Sequence, residues 1–207
     1  MTGSRSPRIG TSVTRREFLG TAAAAVVAAA GTGQSAGGAP RFAYVGSFTS
    51  EARKARGEGI SVYRLDPDSG RWARVQALNR EVNPGYLAVD PKRPVLYAVH
   101  ADMNQVSAFA INDTTGALTL INRQSSGGDN PVHLSLDPGG RWLVVANYAS
   151  GNVVVLPVGA DGSIGGRSDD VALKGAPGPH RTEQSVPHPH QCPFDPAGRL
   201  VVVPDKG

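Results

Sequence analysis

The sequence predicts an all-β fold, a β-propeller of four-stranded blades, and three observations predict it. "NPGYLAVDPKRPVLYAVHADMNQVSAFAI" from Asn83 lines up without a gap over 29 residues with "NPVHLSLDPGGRWLVVANYASGNVVVLPV" from Asn130, a period of 47. Inside the unit the apolar residues come in short bursts, Leu134–Leu136, Leu143–Ala146 and Val153–Val158, rich in β-branched side chains. Asp-Pro-Gly-Gly, Ala-Ser-Gly-Asn and Ala-Asp-Gly-Ser separate the bursts, and nothing after residue 40 sustains a helical period. Four strands in about 45 residues is the arithmetic of a propeller blade, whereas a solenoid uses shorter units.

Residues 1–39 read as a leader rather than as fold. Thr14-Arg15-Arg16-Glu17-Phe18-Leu19 carries a paired arginine, followed by an apolar stretch from Leu19 to Ala30 and small residues up to Pro40. A membrane span needs roughly 20 apolar residues, so this stretch is expected to be an export signal of the twin-arginine kind, delivering a folded protein to the periplasm or the exterior. The alternative is an Ala-rich helix retained as an anchor. Cleavage after Ala28-Ala29-Ala30 and cleavage nearer Ala36 both fit.

Four arginines against one glutamate give the leader a net +3, so the formal +4 of the chain leaves only +1 for residues 40–207. Such a balance gives no clustered basic face for nucleic acid. Cys192 is the single cysteine and is expected to be a small buried apolar residue, with no internal disulfide.

The repeat continues on both sides of the two full copies. Upstream, "GISVYRLDPDSGRW" from Gly59 matches the later part of the unit, "QVSAFAINDTTGAL" from Gln105, so a copy missing its first part starts the mature chain. Downstream, "HPHQCPFDPAGRLVVVPD" from His188 places Asp195 under Asp137 and Asp90. The ordered series "FAYVGSFT" at 42–49, "NPGYLAVDP" at 83–91, "NPVHLSLDPGGRWLVVANYASGNV" at 130–153 and "PHPHQCPFDPAGRLVVVPD" at 187–205 resembles the seven-bladed β-propeller lactonases, the bacterial 6-phosphogluconolactonase type with its carboxymuconate-cyclase relatives. From Pro40 to Gly207 the chain holds about three and a half blades of the seven that the resemblance implies. It is therefore expected to be an N-terminal fragment of a ring or a prematurely ended reading frame, inactive as a half ring with open edges.

The resemblance makes "HLSLD" the inner strand lining a central channel. His133 lies four residues before Asp137, and His190 and His188 lie five and seven before Asp195. All three imidazoles should then enter at corresponding ends of neighbouring inner strands, with His188 and His190 on one side of theirs. The aligned aspartates Asp137 and Asp195 are 58 residues apart rather than 47, which makes "GAPGPHRTEQSVPHPHQ" an enlarged polar loop, and such loops carry function. Its Arg181-Thr182-Glu183 matches the Arg-x-Glu element that the resemblance implies.

Lactone hydrolysis needs a base for water, a donor for the oxyanion and a cation for an anionic substrate group. The candidates are His133 or Glu183 as base, His188 and His190 as donors, and Arg181 as anion clamp. Direct attack by water is favoured, because no serine sits in a nucleophile elbow. His100, Asn147 and Asp205 lie ten residues after their aligned aspartates and read as turn-stabilising side chains, with Asn147 a candidate substrate contact at the rim. His133 also reads as a hydrogen-bonded structural histidine. His188 and His190 also read as two metal ligands, but two do not close a shell and the resemblance implies neither metal nor other cofactor. Besides a sugar lactonase, a non-catalytic binding or scaffolding propeller and a carboxymuconate-cyclase-like cycloisomerase fit the same chain. The expected partner is a small lactone.

Overall fold

The computed structural model describes residues 41–207 and the backbone strand Ala25–Ala28. Within them lie three antiparallel four-stranded sheets, each a consecutive meander. The first holds β1 (Ala25–Ala28), β2 (Arg41–Gly46), β3 (Ile60–Leu65) and β4 (Trp72–Leu78). The second holds β5 (Pro84–Val89), β6 (Val95–His100), β7 (Gln105–Ile111) and β8 (Leu118–Ser125). The third holds β9 (Pro131–Leu136), β10 (Trp142–Asn147), β11 (Asn152–Pro157) and β12 (Asp169–Ala172). A fourth blade begins with antiparallel bridges between Pro189 and Asp205 and between Phe194 and Val201. The strands β1, β5 and β9 neighbour one another, so they form the inner layer of three successive blades.

The apolar bursts are explained by burial on both faces. All six residues of β6 are buried, with Leu96 and Ala98 packed toward the first blade and Val95, Tyr97 and Val99 toward the third. In β10 the same alternation sends Leu143 and Val145 to the second blade, and Val144 and Ala146 to Cys192, Phe194 and Val201 of the fourth. Strands with period-2 side chains between two packed sheets read as continuous apolar runs, the pattern seen in the sequence.

The turns repeat as the sequence predicts. Asp90, Asp137 and Asp195 donate their backbone N–H to the carbonyls of Val95, Trp142 and Leu200, closing equivalent turns. Asp137 Oδ1 accepts from the N–H of Arg141 and Trp142, and Asp195 Oδ1 accepts from Arg199 and Leu200 in the same way. Asp90 instead holds Arg93 Nε at 2.7 Å, and Arg93 reaches across to the carbonyls of Gly140 and Gly159 in the next blade.

One expectation fails. Ala25–Ala28, within the stretch expected to be a leader, pair antiparallel with Ala43–Gly46 of β2. The first unit lacks its own inner strand, which leaves a row of free N–H and C=O groups on β2, and a small, β-branched Ala-Val-Val-Ala segment pairs there. The paired arginines and both cleavage positions lie outside the described residues.

Candidate functional site

Each inner strand is entered through the same backbone device. The carbonyls of Asn83, Asn130 and His188 accept the N–H of Ala101, Tyr148 and Lys206 respectively, so these three pairs are equivalent in successive blades. Asn83 and Asn130 sit at positive φ, 43° and 54°, where asparagine is tolerated better than most residues. Their side-chain carbonyls accept from the loop of the preceding blade, Asn83 from the N–H of Thr49 and Ser50 and Asn130 from that of Asp102. His188 takes this place in the fourth blade, and its Nδ1–H donates to the Tyr148 carbonyl at 2.9 Å. That bond leaves the Nε2 lone pair of the neutral ring free, and no hydrogen bond reaches it among the described residues.

His133 has the opposite tautomer. It is buried on β9, and its Nδ1 accepts the Cys192 N–H at 3.2 Å, so the neutral ring carries its proton on Nε2. Burial first, and the neighbouring His190 second, push its pKa down to about 4. The Tyr86 ring lies against it at 4.2 Å between centroids. Among the described residues the unpaired buried side-chain polar atoms are Glu81 Oε2 and Asn147 Oδ1; His133 Nε2 is not one of them. Cys192 is buried as expected, and burial pushes its thiol up to about 12, which makes it inert.

His190 is exposed and meets the Tyr148 ring edge-on at 5.8 Å, while His188 stacks on the same ring at 4.3 Å and 8°. The structure therefore brings His133, His188 and His190 to one end of the inner strands. Glu183 is nearby but committed elsewhere: Lys206 Nζ lies 2.6 Å from its carboxylate, and that hydrogen bond holds its pKa below the usual range. Arg181 is exposed on the loop, in a turn where His180 Nδ1 accepts the Glu183 N–H at 3.0 Å. Asn147 is fully buried and donates to the Ser126 carbonyl, which ties the third blade to the second rather than presenting a rim contact. His100 is likewise buried, between Val82 O and Ser107 Oγ, both at 2.7 Å. Asp205 accepts the His188 N–H at 2.7 Å. Among the described residues no three His, Cys, Asp or Glu side chains converge as metal ligands.

Sequence reasoning missed Tyr148, the hub of the histidine pair, and Lys206. The available signal was their alignment with the unremarkable Ala101, where a large aromatic and a cation break the repeat.

Residues 42–207 match the family described as lactonase, 7-bladed beta-propeller. The chain is 34% identical over 166 residues to a 6-phosphogluconolactonase of Bacillus subtilis strain 168, covering 79% of this chain and 46% of that protein. It is 30% identical over 168 residues to a 6-phosphogluconolactonase of Formosa agariphila, with the same 79% and 46% coverage. Among solved structures, a protein of Bacteroides fragilis superposes with a TM-score of 0.74 at 30% identity, covering 84% of this chain and 47% of that one. The periplasmic gluconolactonase of Pseudomonas aeruginosa superposes with a TM-score of 0.69 at 28% identity, covering 80% and 47%. The chain spans about half the length of these relatives. Matched by that family over residues 42–207, and so over most of its length, the chain belongs to the seven-bladed β-propeller lactonase family.

Proposed function

We propose that this chain contributes the histidine-lined mouth of a sugar-lactone hydrolase. The observation that carries the reading is the pair of imidazoles held in opposite tautomers by backbone groups: His188 presents a free Nε2 lone pair, and His133 presents Nε2–H. A ring opened by water needs one of each. His188 takes the proton as water attacks the lactone carbonyl, and His133 donates to the oxyanion that forms. These roles invert the expectation from sequence, in which His133 or Glu183 was the base and His188 a donor. Glu183 is hydrogen-bonded to Lys206, which holds its pKa below the usual carboxylate range and leaves it a poor base. Arg181, exposed on the enlarged loop, suits the anionic group of a phosphorylated substrate. The names of the Bacillus, Formosa and Pseudomonas relatives support a sugar lactone as substrate.

Export by the twin-arginine route belongs to the same proposal; the Pseudomonas relative is named periplasmic. The test uses the chain extended to a complete ring, with gluconolactone and its 6-phosphate in a pH-stat. His188→Asn keeps a side chain that the equivalent positions of two blades already use, so it should leave the melting temperature near wild type while lowering kcat by about 10²–10⁴-fold. Unchanged kcat in His188→Asn would discard the assignment of base.

A further inference from the structure

The repeat places four equivalent side chains along one rim. Ala101, Tyr148 and Lys206 each follow the second strand of a blade, with their N–H groups on the carbonyls of Asn83, Asn130 and His188. Phe48 precedes Thr49 as Ala101 precedes Asp102, and the N–H groups of Thr49 and Asp102 go to Asn83 and Asn130. Phe48, Ala101, Tyr148 and Lys206 all line a single cleft of about 260 Å³, together with Arg53, Asn130, Val132 and His190.

The repeat does not call for this set, because Ala101 shows that a methyl group suffices at one of the four positions. The departures share a chemistry. The Arg53 guanidinium lies over the Phe48 ring at 5.6 Å, and Lys206 Nζ lies over the Tyr148 ring at 5.6 Å. Each cation is held by a carboxylate that does not itself line the cleft: Asp102 takes Arg53 Nε at 2.7 Å, and Glu183 takes Lys206 Nζ at 2.6 Å. Two cations and two aromatic rings thus share a space sized for one small molecule.

We propose that this cleft is a binding site for the oxyanion of a small polyhydroxy acid, with Lys206 and Arg53 on the anion and Tyr148 and Phe48 against its carbon chain. Hydrolysis of a lactone turns a neutral ester into a carboxylate, so the site takes the product of the reaction proposed above and retards its departure. The identity of the acid rests on that reading; the existence of the site does not. Glu183 is here a positioning residue that orients Lys206.

The test is calorimetric titration of the 207-residue chain with sodium gluconate, inorganic phosphate and sorbitol, the last being the neutral polyol of the same length. Gluconate should bind and sorbitol should not. Lys206→Met and Arg53→Met should each weaken gluconate by about tenfold, and Lys206→Arg should restore it. Both cations are exposed, and circular dichroism checks that the variants fold. Gluconate binding more tightly than phosphate assigns the anion as a carboxylate; the reverse assigns a phosphoryl group. Equal binding of gluconate and sorbitol, or wild-type affinity in both methionine variants, overturns the site. Hydrolysis by the extended chain without gluconate binding overturns it while leaving the lactonase reading intact. Gluconate binding without hydrolysis does the opposite.

Discussion

His133 and His188 show how much of a side chain's chemistry is set by the backbone group it meets. Both are imidazoles at the mouth of an inner strand, yet one accepts an N–H at Nδ1 and the other donates from Nδ1 to a carbonyl. Protonating His133 places a charge in a buried site beside His190 and breaks its bond to Cys192. The fold therefore favours its neutral form, with a folded pKa of about 4 against an ordinary 6.5. The stabilisation, on the order of 3 kcal/mol, is complete above pH 6.5 and is lost as pH falls through about 4. Urea unfolding between pH 7 and pH 4 should show this loss, and His133→Gln should be less pH-sensitive over the same window. An identical slope in the variant would place the titration elsewhere, His100 being the other histidine whose pKa burial lowers.

At the scale of the element, the repeat sets strands and turns, and single departures from it join the blades. Arg93 stands in the second blade where the third has Gly140, in a turn closed by a buried aspartate. Its guanidinium satisfies Asp90 and then two carbonyls of the third blade. Arg93→Met leaves a fully buried carboxylate without its cation, so it should cost about 3–5 kcal/mol in urea unfolding. Arg93→Met combined with Asp90→Asn should cost less than Arg93→Met alone, because the stranded charge is gone. A cost below 1 kcal/mol in Arg93→Met would show that the link between blades is carried by the apolar clusters alone. The turn glycines follow the same logic at Gly116, whose φ of 74° and closeness to Phe42, 2.3 Å from an added Cβ, leave no room for alanine.

For the whole molecule, the ring direction follows from both faces of each blade being apolar. The exposed Leu200 and Val202 lie on the fourth blade opposite Val201 and Val203, which pack on the third, so the propeller pattern continues to the last strand. The proposed export is tested at this scale too. Replacing Arg15 and Arg16 with lysine should hold the protein in the cytoplasm, read by cell fractionation; full export of that variant would remove the twin-arginine route and favour a general signal or an anchor.

Taken alone, the sequence determined the blades: a period of 47 and two-faced apolar strands admit few other packings, and Asp90, Asp137 and Asp195 fall in equivalent turns as their spacing requires. With the inner strand that the resemblance implies, it also put the candidate histidines His133, His188 and His190 near the ends of neighbouring inner strands, because corresponding segments of a repeat occupy corresponding places in space. Only the tertiary structure decided the tautomers of His133 and His188, the burial of Asn147, the tie between Glu183 and Lys206, and the pairing of Ala25–Ala28 with β2. Each depends on a partner from another blade or a distant segment: Cys192 is 59 residues from His133, and Tyr148 is 40 from His188. A repeat specifies which residues are equivalent; which atoms they meet is set by the blade packed beside them.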